Sequence, residues 1–393
     1  MTSLRELFLR HMAQTSLAPM GLEISHAKGV YQIGTDGKRY IDLISGISVS
    51  NLGHGHPAVV QAVTEQATRH MHLMVYGETV QAPQVRFAEA ICSQLPKELD
   101  SVYFVSSGSE ATDGAMKLAV RATGRTQFAT LRNAYHGSTL GALGVMGHDM
   151  LRAPYAPLLP DTLRLDPNIA EQLDQVNRRT AAIFIEPIQG EAGARPLTAE
   201  YIRAVRRRCV STGTLMVVDE IQSGFGRTGS MFAFLDAGVV PDIVLMAKGM
   251  GAGMPIGAFV ARKELMSLLS HDPVLGHITT FGGHPMSCAA GLAGLQVVLS
   301  DGLMERAKAL EVIFRQRLIH PRIKEIRGRG ALLALELGDA ALVQSTIAKC
   351  LEMGVITDWF LFCDTALRVA PPPIMTDAEA HAACDTLLSA LEV

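Results

Sequence analysis

The residues of this chain that are best suited to chemistry follow short apolar runs. One group, SSGSEA at residues 106–111, combines hydroxyls with a glycine where a helix is expected to begin. Backbone N–H groups and hydroxyls at a helix N-terminus can form a cradle for a phosphate group. The alternative is an ordinary helix cap, with Ser109 as the capping residue. No Gly-Lys-Ser/Thr sequence follows, so the stretch is not the phosphate loop of a nucleotide-binding enzyme.

An acid, Asp219, ends the apolar run at residues 215–219. A carboxylate that is partly withdrawn from water requires a cationic or protonated partner. Asp219 could therefore be a metal ligand, the acid of a structural ion pair, or the counter-ion of a protonated heterocycle, and these three alternatives remain open. Glu220 beside it would point in the opposite direction if the strand continued.

A lysine, Lys248, lies between the apolar run at 243–247 and a glycine-rich loop at 249–255. Most lysines are solvated surface residues, but burial here would lower the pKa of the amine and suit it to forming a Schiff base. The loop TTFGGHP at 279–285 leads into a helix and could contact an anion or serve only as a cap. A phosphate cradle, a counter-ion acid and an amine together are what pyridoxal phosphate (PLP) requires.

Six β-rich apolar runs alternate with helical stretches and would position these residues. Several runs are almost continuously apolar, which is typical of strands covered on both faces in a mainly parallel sheet. We predict strands at 102–106, 127–131, 181–186, 215–219, 243–246 and 257–261, with helices at 110–123 and 199–212. Because ligands bind beyond the carboxyl ends of such strands, the polar residues described above should lie together.

The two ends of the chain differ from this α/β middle part. The turn Asp36-Gly37 between two β-like runs predicts a hairpin near the N-terminus. A long helix at about 286–317, a strand at about 331–337 and a further helix predict a separate α+β unit near the C-terminus. We therefore divide the chain into three parts, an N-terminal segment, a large domain and a small domain, at residues 1–45, 46–280 and 281–393.

The composition excludes several classes of protein. Hydrophobic residues make up 48% of the 393 residues, enough for a large core, and a net charge of −3 offers no electrostatic attraction for nucleic acid or an anionic membrane. The six cysteines contain no CxxC pair, so we expect neither a disulfide framework nor a metal site. The N-terminus lacks the apolar core of a signal peptide, and proline, histidine and glycine interrupt the uncharged stretch at 273–300. We expect a soluble, cytoplasmic protein.

Seven motifs follow one another along the chain: GHGHP at 53–57, SGSEA at 107–111, YHG at 135–137, EPIQGE at 186–191, DEIQ at 219–222, KG at 248–249 and TFGG at 280–283. In this combination the sequence resembles the class III (ω-type) aminotransferases of PLP fold type I, the ornithine, acetylornithine and 4-aminobutyrate type. The resemblance extends over essentially the whole chain. It implies an α/β fold with two domains. The large one has a mainly parallel seven-stranded sheet flanked by helices, and the smaller α+β one is built from both termini.

The resemblance implies a role for each residue around the PLP ring. Lys248 would hold PLP through a Schiff base and shuttle a proton between the substrate Cα and the cofactor. Asp219 would keep the pyridine nitrogen protonated, so that the ring accepts electrons. Gln222 would contact the ring 3′-oxygen, while Ile221 and Tyr135 would pack on the two ring faces.

The resemblance also implies a phosphate site and a second subunit. One subunit would bind the phosphate through residues at the start of a helix, namely Ser107, Gly108 and Ser109. Thr280 would reach the same phosphate across the interface of a homodimer. His136 would shape the turn beneath the ring, and Glu186 would belong to the framework of the site. The stretch at 72–78 would line the entrance near the partner subunit.

Further residues concern the substrate. Arg368 matches the family arginine that binds a substrate carboxylate, a task to which a guanidinium fork is suited. Glu191 matches the acid that pairs with this arginine and releases it when 2-oxoglutarate or glutamate binds. Ile47 resembles the residue of the 4-aminobutyrate type at its position. Ser138, in contrast, replaces the arginine that acetylornithine and 4-aminobutyrate members usually carry.

The implied function is transfer of an amino group between an ω-amine or amino acid donor and 2-oxoglutarate or glutamate, by a ping-pong mechanism. An aminomutase or a decarboxylating enzyme of the same class is the alternative. Glu191 with Arg368 argues against it, because those reactions do not alternate between two differently charged substrates. Lys248 and Asp219 disfavour a non-catalytic dimer with this fold, and the absence of a GxGxxG motif disfavours a nucleotide-binding protein.

Overall fold

The computed structural model describes residues 3–75, 77–158 and 161–392. The strands are β1 (Ile24–Lys28), β2 (Tyr31–Gly34), β3 (Arg39–Asp42), β4 (Ser101–Val105), β5 (Gln127–Leu131), β6 (Thr162–Leu165), β7 (Thr180–Ile185), β8 (Ile188–Gln189), β9 (Arg195–Pro196), β10 (Leu215–Asp219), β11 (Ile243–Met246), β12 (Gly257–Ala261), β13 (Glu325–Arg329), β14 (Leu332–Glu336), β15 (Val355–Ile356), β16 (Trp359–Phe360) and β17 (Cys363–Val369). The helices are α1 (Leu4–His11), α2 (Ser45–Ser48), α3 (Pro57–Arg69), α4 (Ala82–Cys92), α5 (Gly108–Thr123), α6 (Leu140–Gly144), α7 (Asp149–Arg152), α8 (Ala199–Thr212), α9 (Lys263–Met266), α10 (Pro285–Ser300), α11 (Leu303–Arg317), α12 (Ala340–Glu352) and α13 (Asp377–Leu391).

A seven-stranded sheet forms the centre of the molecule, with the strand order β4-β12-β11-β10-β7-β5-β6. From β11 to β6 neighbouring strands are parallel, whereas β12 is antiparallel to both of its neighbours. The expected α/β fold with a mainly parallel seven-stranded sheet is therefore confirmed. All six predicted strands are present, with ends that differ from the predicted ones by at most one residue.

The apolar strands build two layers of core, because alternate side chains of a strand face opposite sides of the sheet. In β10, Val217 packs in the core beneath α5, and Val218 packs in the core on the other side, where α8 lies. Neither valine has exposed surface. Burying a side chain of this size contributes roughly 1.5–3 kcal/mol. The sheet is therefore held on both faces, which fixes the residues at the carboxyl ends of its strands.

Two four-stranded sheets lie outside the central one. The first, in the order β1-β2-β3-β15, joins the N-terminal strands to Val355–Ile356 near the other end of the chain. The second, β13-β14-β17-β16, is antiparallel throughout. The predicted hairpin is present, and Gly37 has a φ of +82° in the turn between β2 and β3. The domain boundaries near residues 45 and 280 remain a prediction.

The prediction of a single long helix at about 286–317 is wrong. The chain forms α10 and α11 there, and the two helices are bent by 66° relative to each other. Gly302 between them has a φ of +64°, a left-handed conformation that glycine adopts without steric cost. Among the residues that the structure describes, no single helix is long and apolar enough to cross a membrane. Within that described part of the chain, this bent pair alone, with its two helices taken together, passes the test by length and composition.

Candidate active site

A cavity of about 460 Å³ opens at the carboxyl ends of the central strands. Most of the residues predicted for the site line it, namely Ser107, Gly108, Ser109, Tyr135, His136, Glu186, Glu191, Asp219, Ile221, Gln222 and Lys248. Motifs that are far apart in the sequence therefore meet at one place, as expected for an open α/β sheet.

Asp219, the last residue of β10, is held by His136. Its Oδ2 lies 2.7 Å from His136 Nδ1, and its Oδ1 accepts a hydrogen bond of 2.9 Å from the Ile221 backbone N–H. Burial alone would lower the pKa of His136, but the hydrogen bond and negative charge of Asp219 outweigh burial and raise that pKa. Within the described part of the chain, no group of three or more His, Cys, Asp or Glu side chains is placed to hold a metal ion. Asp219 is thus an oriented carboxylate that faces the cavity.

Lys248 begins the turn after β11, and its side chain lines the cavity. Its φ of +50° is a left-handed conformation that costs a residue other than glycine roughly 1–2 kcal/mol. Strain of this kind persists where the surrounding structure imposes it, often at functional sites. Desolvation lowers the pKa of the amine, although the negative charge of Glu191 opposes this effect. A neutral, nucleophilic amine is therefore easier to obtain here than in water.

The first turn of α5 also lines the cavity. Ser107, not Ser109, is the capping residue, because its Oγ accepts a hydrogen bond from the backbone N–H of the third helical residue. Ser109 Oγ instead accepts a hydrogen bond of 3.1 Å from the Ser138 N–H. A Cβ at Gly108 would lie 2.9 Å from Ile221 Cδ1, so glycine allows this turn to pack closely against Ile221. The N–H groups of the turn suit an anion.

A buried carboxyl, Glu186, connects two loops of the site. Its Oε1 accepts a hydrogen bond from the Tyr135 N–H and its Oε2 accepts one from the Gly190 N–H, each of 3.0 Å. Burial raises the pKa of Glu186 to about 7. Gly190 is also close to Gln222, since a Cβ there would lie 1.7 Å from Gln222 Oε1. Glu186 therefore positions the backbone beside Tyr135 and the loop that leads to Glu191.

An ion pair between Arg368 and Glu191 lies beside the cavity. Arg368 Nη2 donates to Glu191 Oε2 at 3.0 Å, and neither side chain is more than 5% exposed. Gln222 Nε2 donates to Oε1 of the same carboxylate at 3.1 Å. Burial would raise the pKa of Glu191, but the positive charges of Arg368 and Lys248 outweigh burial and lower that pKa to about 2. Glu191 is therefore an anion that neutralises Arg368.

Two residues that hold Arg368 could not be recognised in the sequence. Asp358 Oδ1 accepts a hydrogen bond of 2.7 Å from Arg368 Nε, and the Phe360 ring centroid lies 4.3 Å from the guanidinium carbon. Both contacts depend on the antiparallel pairing of β16 with β17. The one available signal was the polar pair Thr357-Asp358 among apolar neighbours.

The groups around the cavity are complementary to PLP. Gln222 Oε1 is buried and has no hydrogen-bond partner among the described residues, so it can accept a hydrogen bond from a ring hydroxyl. Asp219 supplies a counter-ion for a protonated ring, Lys248 an amine for an aldehyde, and the first turn of α5 a site for a phosphate. The residues present therefore fit this cofactor.

Comparison with known proteins decides the family. The family model described as aminotransferase class III matches residues 12–391. The chain belongs to the class III aminotransferases. An acetylornithine aminotransferase of Methanopyrus kandleri is 39% identical over 336 residues, which cover 84% of each chain. Ornithine aminotransferase 1 of Staphylococcus aureus is 38% identical over 390 residues, which cover 94% of this chain and 95% of the relative. The solved ornithine aminotransferase of Toxoplasma gondii, in which PLP partly occupies the active site, has a TM-score of 0.91 at 28% identity. It covers 100% of this chain, which in turn covers 94% of it.

The class III aminotransferase described here is an enzyme that uses PLP, and its fold is PLP fold type I. The roles of its single residues remain predictions. Arg368 does not line the cavity itself but pairs with Glu191, which does, and Thr280 is exposed on the loop before α10 and does not line the cavity of its own chain. Ile47 has a left-handed backbone with φ +60°, and Val49 lines the cavity instead. In the stretch at 72–78, Tyr76 lies outside the residues that the structure describes.

Proposed function

We propose that this aminotransferase transfers an amino group between an ω-amine or amino acid donor and 2-oxoglutarate or glutamate, in the two half-reactions of a ping-pong mechanism. The observation that carries the proposal is the buried ion pair of Arg368 with Glu191 beside the cavity. A cation whose counter-ion can be replaced suits an enzyme that accepts two differently charged substrates in turn. An aminomutase or a decarboxylating enzyme has no need of such an exchange.

The exchange follows from the charges of the pair. With Glu191 in place, Arg368 is neutralised, and the cavity accepts a donor that has no second carboxylate. When a dicarboxylate enters, its distal carboxylate would take over the bidentate contact with Arg368. Because the positive charges of Arg368 and Lys248 lower the pKa of Glu191, its carboxylate is an anion in the pair and would leave as one. One carboxylate replaces another, so the buried guanidinium keeps a counter-ion throughout.

The other residues of the cavity would hold the cofactor and move protons. Bound PLP supplies an electron sink for the carbon that carries the amino group. Lys248 would hold PLP covalently and, once released, carry the proton at the substrate Cα, for which its lowered pKa is favourable. Asp219 would keep a proton on the ring nitrogen while His136 holds its carboxylate in place. The remaining contacts would come from Gln222, Ile221, Tyr135, Ser107, Gly108 and Ser109, and from Thr280 of a second copy of this chain in a homodimer.

The relatives and Ser138 bear on the donor. The curated relatives are named acetylornithine and ornithine aminotransferases, which supports an ω-amine of the ornithine type as donor. Ser138 follows the His136-Gly137 turn, and its Oγ lies 2.8 Å from Tyr135 Oη. A hydroxyl at this position cannot bind a carboxylate by charge. We therefore expect ω-amine donors that carry no carboxylate to react better than acetylornithine or 4-aminobutyrate, whose single carboxylate would have no charged partner at this position.

The experiment compares the two half-reactions in Arg368→Ala and Glu191→Gln. Arg368→Ala should weaken the reaction with 2-oxoglutarate far more than the reaction with a neutral amine, by about 2–5 kcal/mol, because a buried charged contact is lost. This corresponds to a loss of roughly 30-fold to several thousand-fold in kcat/KM. Glu191→Gln removes the exchangeable one of the two carboxylates on Arg368, leaving Asp358, and should shift the preference toward the dicarboxylate. Equal losses for both substrates in Arg368→Ala would overturn the proposal.

A further inference from the structure

We propose that Asp358 is a positioning residue that holds the Nε edge of Arg368, so that only the two terminal nitrogens of the guanidinium are offered to a substrate. The inference rests on the proposed function, in which Arg368 binds the distal carboxylate of 2-oxoglutarate. It adds the direction of that contact. The substrate carboxylate binds end-on, to Nη1 and Nη2, and the side-on arrangement through Nε is blocked.

Each side of the guanidinium has its own partner. Nε donates to Asp358 Oδ1 at 2.7 Å, whereas Nη2 donates to Glu191 Oε2 at 3.0 Å and Nη1 to Glu191 Oε1 at 3.4 Å. The Phe360 ring covers one face, and the Trp359 carbonyl accepts a further hydrogen bond of 3.3 Å from Nη2. Glu191 therefore occupies the end of Arg368 that a substrate carboxylate would take over, and Asp358 occupies the edge.

Asp358 is itself fixed by the strand pairing around Arg368. The Arg368 backbone N–H donates to the Asp358 carbonyl at 2.8 Å, and Thr357 Oγ1 donates to the Arg368 carbonyl at 2.6 Å. Backbone and side chain of Asp358 thus bind the same residue. Because the bond to the Asp358 carbonyl and the neighbouring Thr357 hydroxyl bond tie this segment to β17, the Asp358 carboxylate stays on Arg368 when Glu191 leaves.

The two carboxylates consequently have different tasks. Glu191 comes from a loop 177 residues before Arg368, and the Phe362 N–H of the β16–β17 turn donates to its backbone carbonyl at 3.0 Å. Its exchange for a substrate carboxylate would require only its side chain to turn away from Arg368, whereas Asp358 binds Arg368 through both its backbone carbonyl and its side chain. Without Asp358, the long side chain of Arg368 could follow the departing Glu191 or present Nε and Nη2 instead. A bidentate contact requires a guanidinium in a fixed orientation. If the guanidinium became ordered only when the substrate binds, the entropy cost of ordering it would lower the affinity for the substrate.

The test uses the PLP-loaded enzyme with the variants Asp358→Ala and Asp358→Asn. Asp364→Ala is the matched control, since Asp364 is an exposed acid on β17 of the same hairpin. Two quantities are measured: KM and kcat for 2-oxoglutarate, and the calorimetric Kd of glutarate, a five-carbon dicarboxylate with no group to transaminate. Asp358→Ala should raise KM and Kd roughly tenfold, equivalent to about 1.4 kcal/mol, with kcat and the donor half-reaction unchanged. Asp358→Asn, whose amide oxygen still accepts from Nε, should restore both values to within about threefold.

Arg368→Ala, measured in parallel, separates the two ways in which the account could fail. If Arg368→Ala no longer binds glutarate whereas Asp358→Ala binds it with the Kd of the unaltered enzyme, the inference about Asp358 is wrong and the proposed function stands. If Arg368→Ala binds glutarate as well as the unaltered enzyme, the proposed function is wrong and the inference falls with it. Equal weakening of both half-reactions in Asp358→Ala, without rescue by Asp358→Asn, would indicate a purely structural residue and overturn the positioning role.

Discussion

Most ionisable residues at the cavity form pairs of opposite charge. Asp219 faces the cavity and His136 supports it, while Glu191 faces the cavity and Arg368 lies behind it. Lys248 differs, because its amine has no ion-pair partner among the described residues and desolvation lowers its pKa. The paired groups keep their charge, whereas the unpaired amine stays available for reaction.

The residue types at the site were predictable from the sequence, but several of their partners were not. Asp219 and Lys248 stand out because each follows an apolar run. The contact of Asp219 with His136 joins positions 83 residues apart, and it exists only because the sheet brings the ends of the strands together. The hydrogen bond between Asp358 and Arg368 likewise depends on the pairing of two strands, which a local sequence pattern does not specify.

Asp219→Asn tests the counter-ion role. The variant keeps the shape of the side chain but removes its charge, so a ring nitrogen would lose the partner that keeps it protonated. We expect the donor half-reaction, followed by stopped-flow absorbance, to slow by roughly 100-fold or more, the scale of one lost buried charge contact. Glu220→Gln is the control, because Glu220 is buried next in the chain but bonds to Ser223 and Phe234 instead. An unchanged rate in Asp219→Asn would mean that another residue is the counter-ion.

Whole elements were predicted best where both faces of a strand are buried. The run of Ile243–Met246 is apolar at every position and was located without error. Strand β6 was missed because it lies at the edge of the sheet, where its sequence TLRL keeps Arg164 and only Leu165 is fully buried. The single helix predicted at 286–317 is too long, because apolar residues on both sides of Gly302 hide the break there in the sequence pattern.

Glu220 predicts a pH dependence for the segment that follows β10. Its carboxylate accepts hydrogen bonds from Ser223 Oγ and the Phe234 N–H, and burial raises its pKa to about 7 from an ordinary 4.5. Between about pH 4.5 and 7 the folded chain holds a proton that the unfolded chain has lost, so stability falls as pH rises through this window. Glu220→Gln should remove a slope of up to about 1.4 kcal/mol per pH unit.

The measurement is the free energy of unfolding by urea at pH 5 and pH 8 for the unaltered enzyme and for Glu220→Gln. Glu264→Gln on the exposed surface of α9 is the matched control. The free energy of unfolding of Glu220→Gln minus that of the unaltered enzyme should be larger at pH 8 than at pH 5. A difference that does not change with pH would show that Glu220 is ionised in the fold at both values.

The molecule as a whole exposes a surface that suits a second copy. Four large apolar side chains are exposed in the loop before α10, namely Val274, Leu275, Ile278 and Phe281. Exposed apolar patches of this kind mark sites of association. Thr280 lies among them, is exposed, and does not line the cavity of its own chain. This arrangement supports the proposed homodimer, in which each cavity receives Thr280 from the other subunit.

A hybrid dimer tests that proposal. Thr280→Ala should weaken PLP binding roughly tenfold or more, since a hydrogen bond to a charged phosphate contributes about 1.5–3 kcal/mol. Lys248→Ala cannot attach PLP covalently. If Thr280 acts across the interface, a hybrid of one Thr280→Ala chain and one Lys248→Ala chain has one cavity with both residues intact. Absorbance titration should then show one tight, covalent PLP site per hybrid dimer. If every hybrid site is as weak as in the Thr280→Ala dimer, Thr280 acts within its own chain or not at all.

We propose that the enzyme works through two separable half-reactions. The most direct test is the visible absorbance spectrum of the purified PLP-loaded enzyme, recorded after each of a panel of ω-amines and glutamate is added without any oxo acid. We predict that the band of covalently bound PLP disappears with glutamate and with the productive ω-amines, and returns when 2-oxoglutarate is added. A band that persists with glutamate and with every amine would contradict the account.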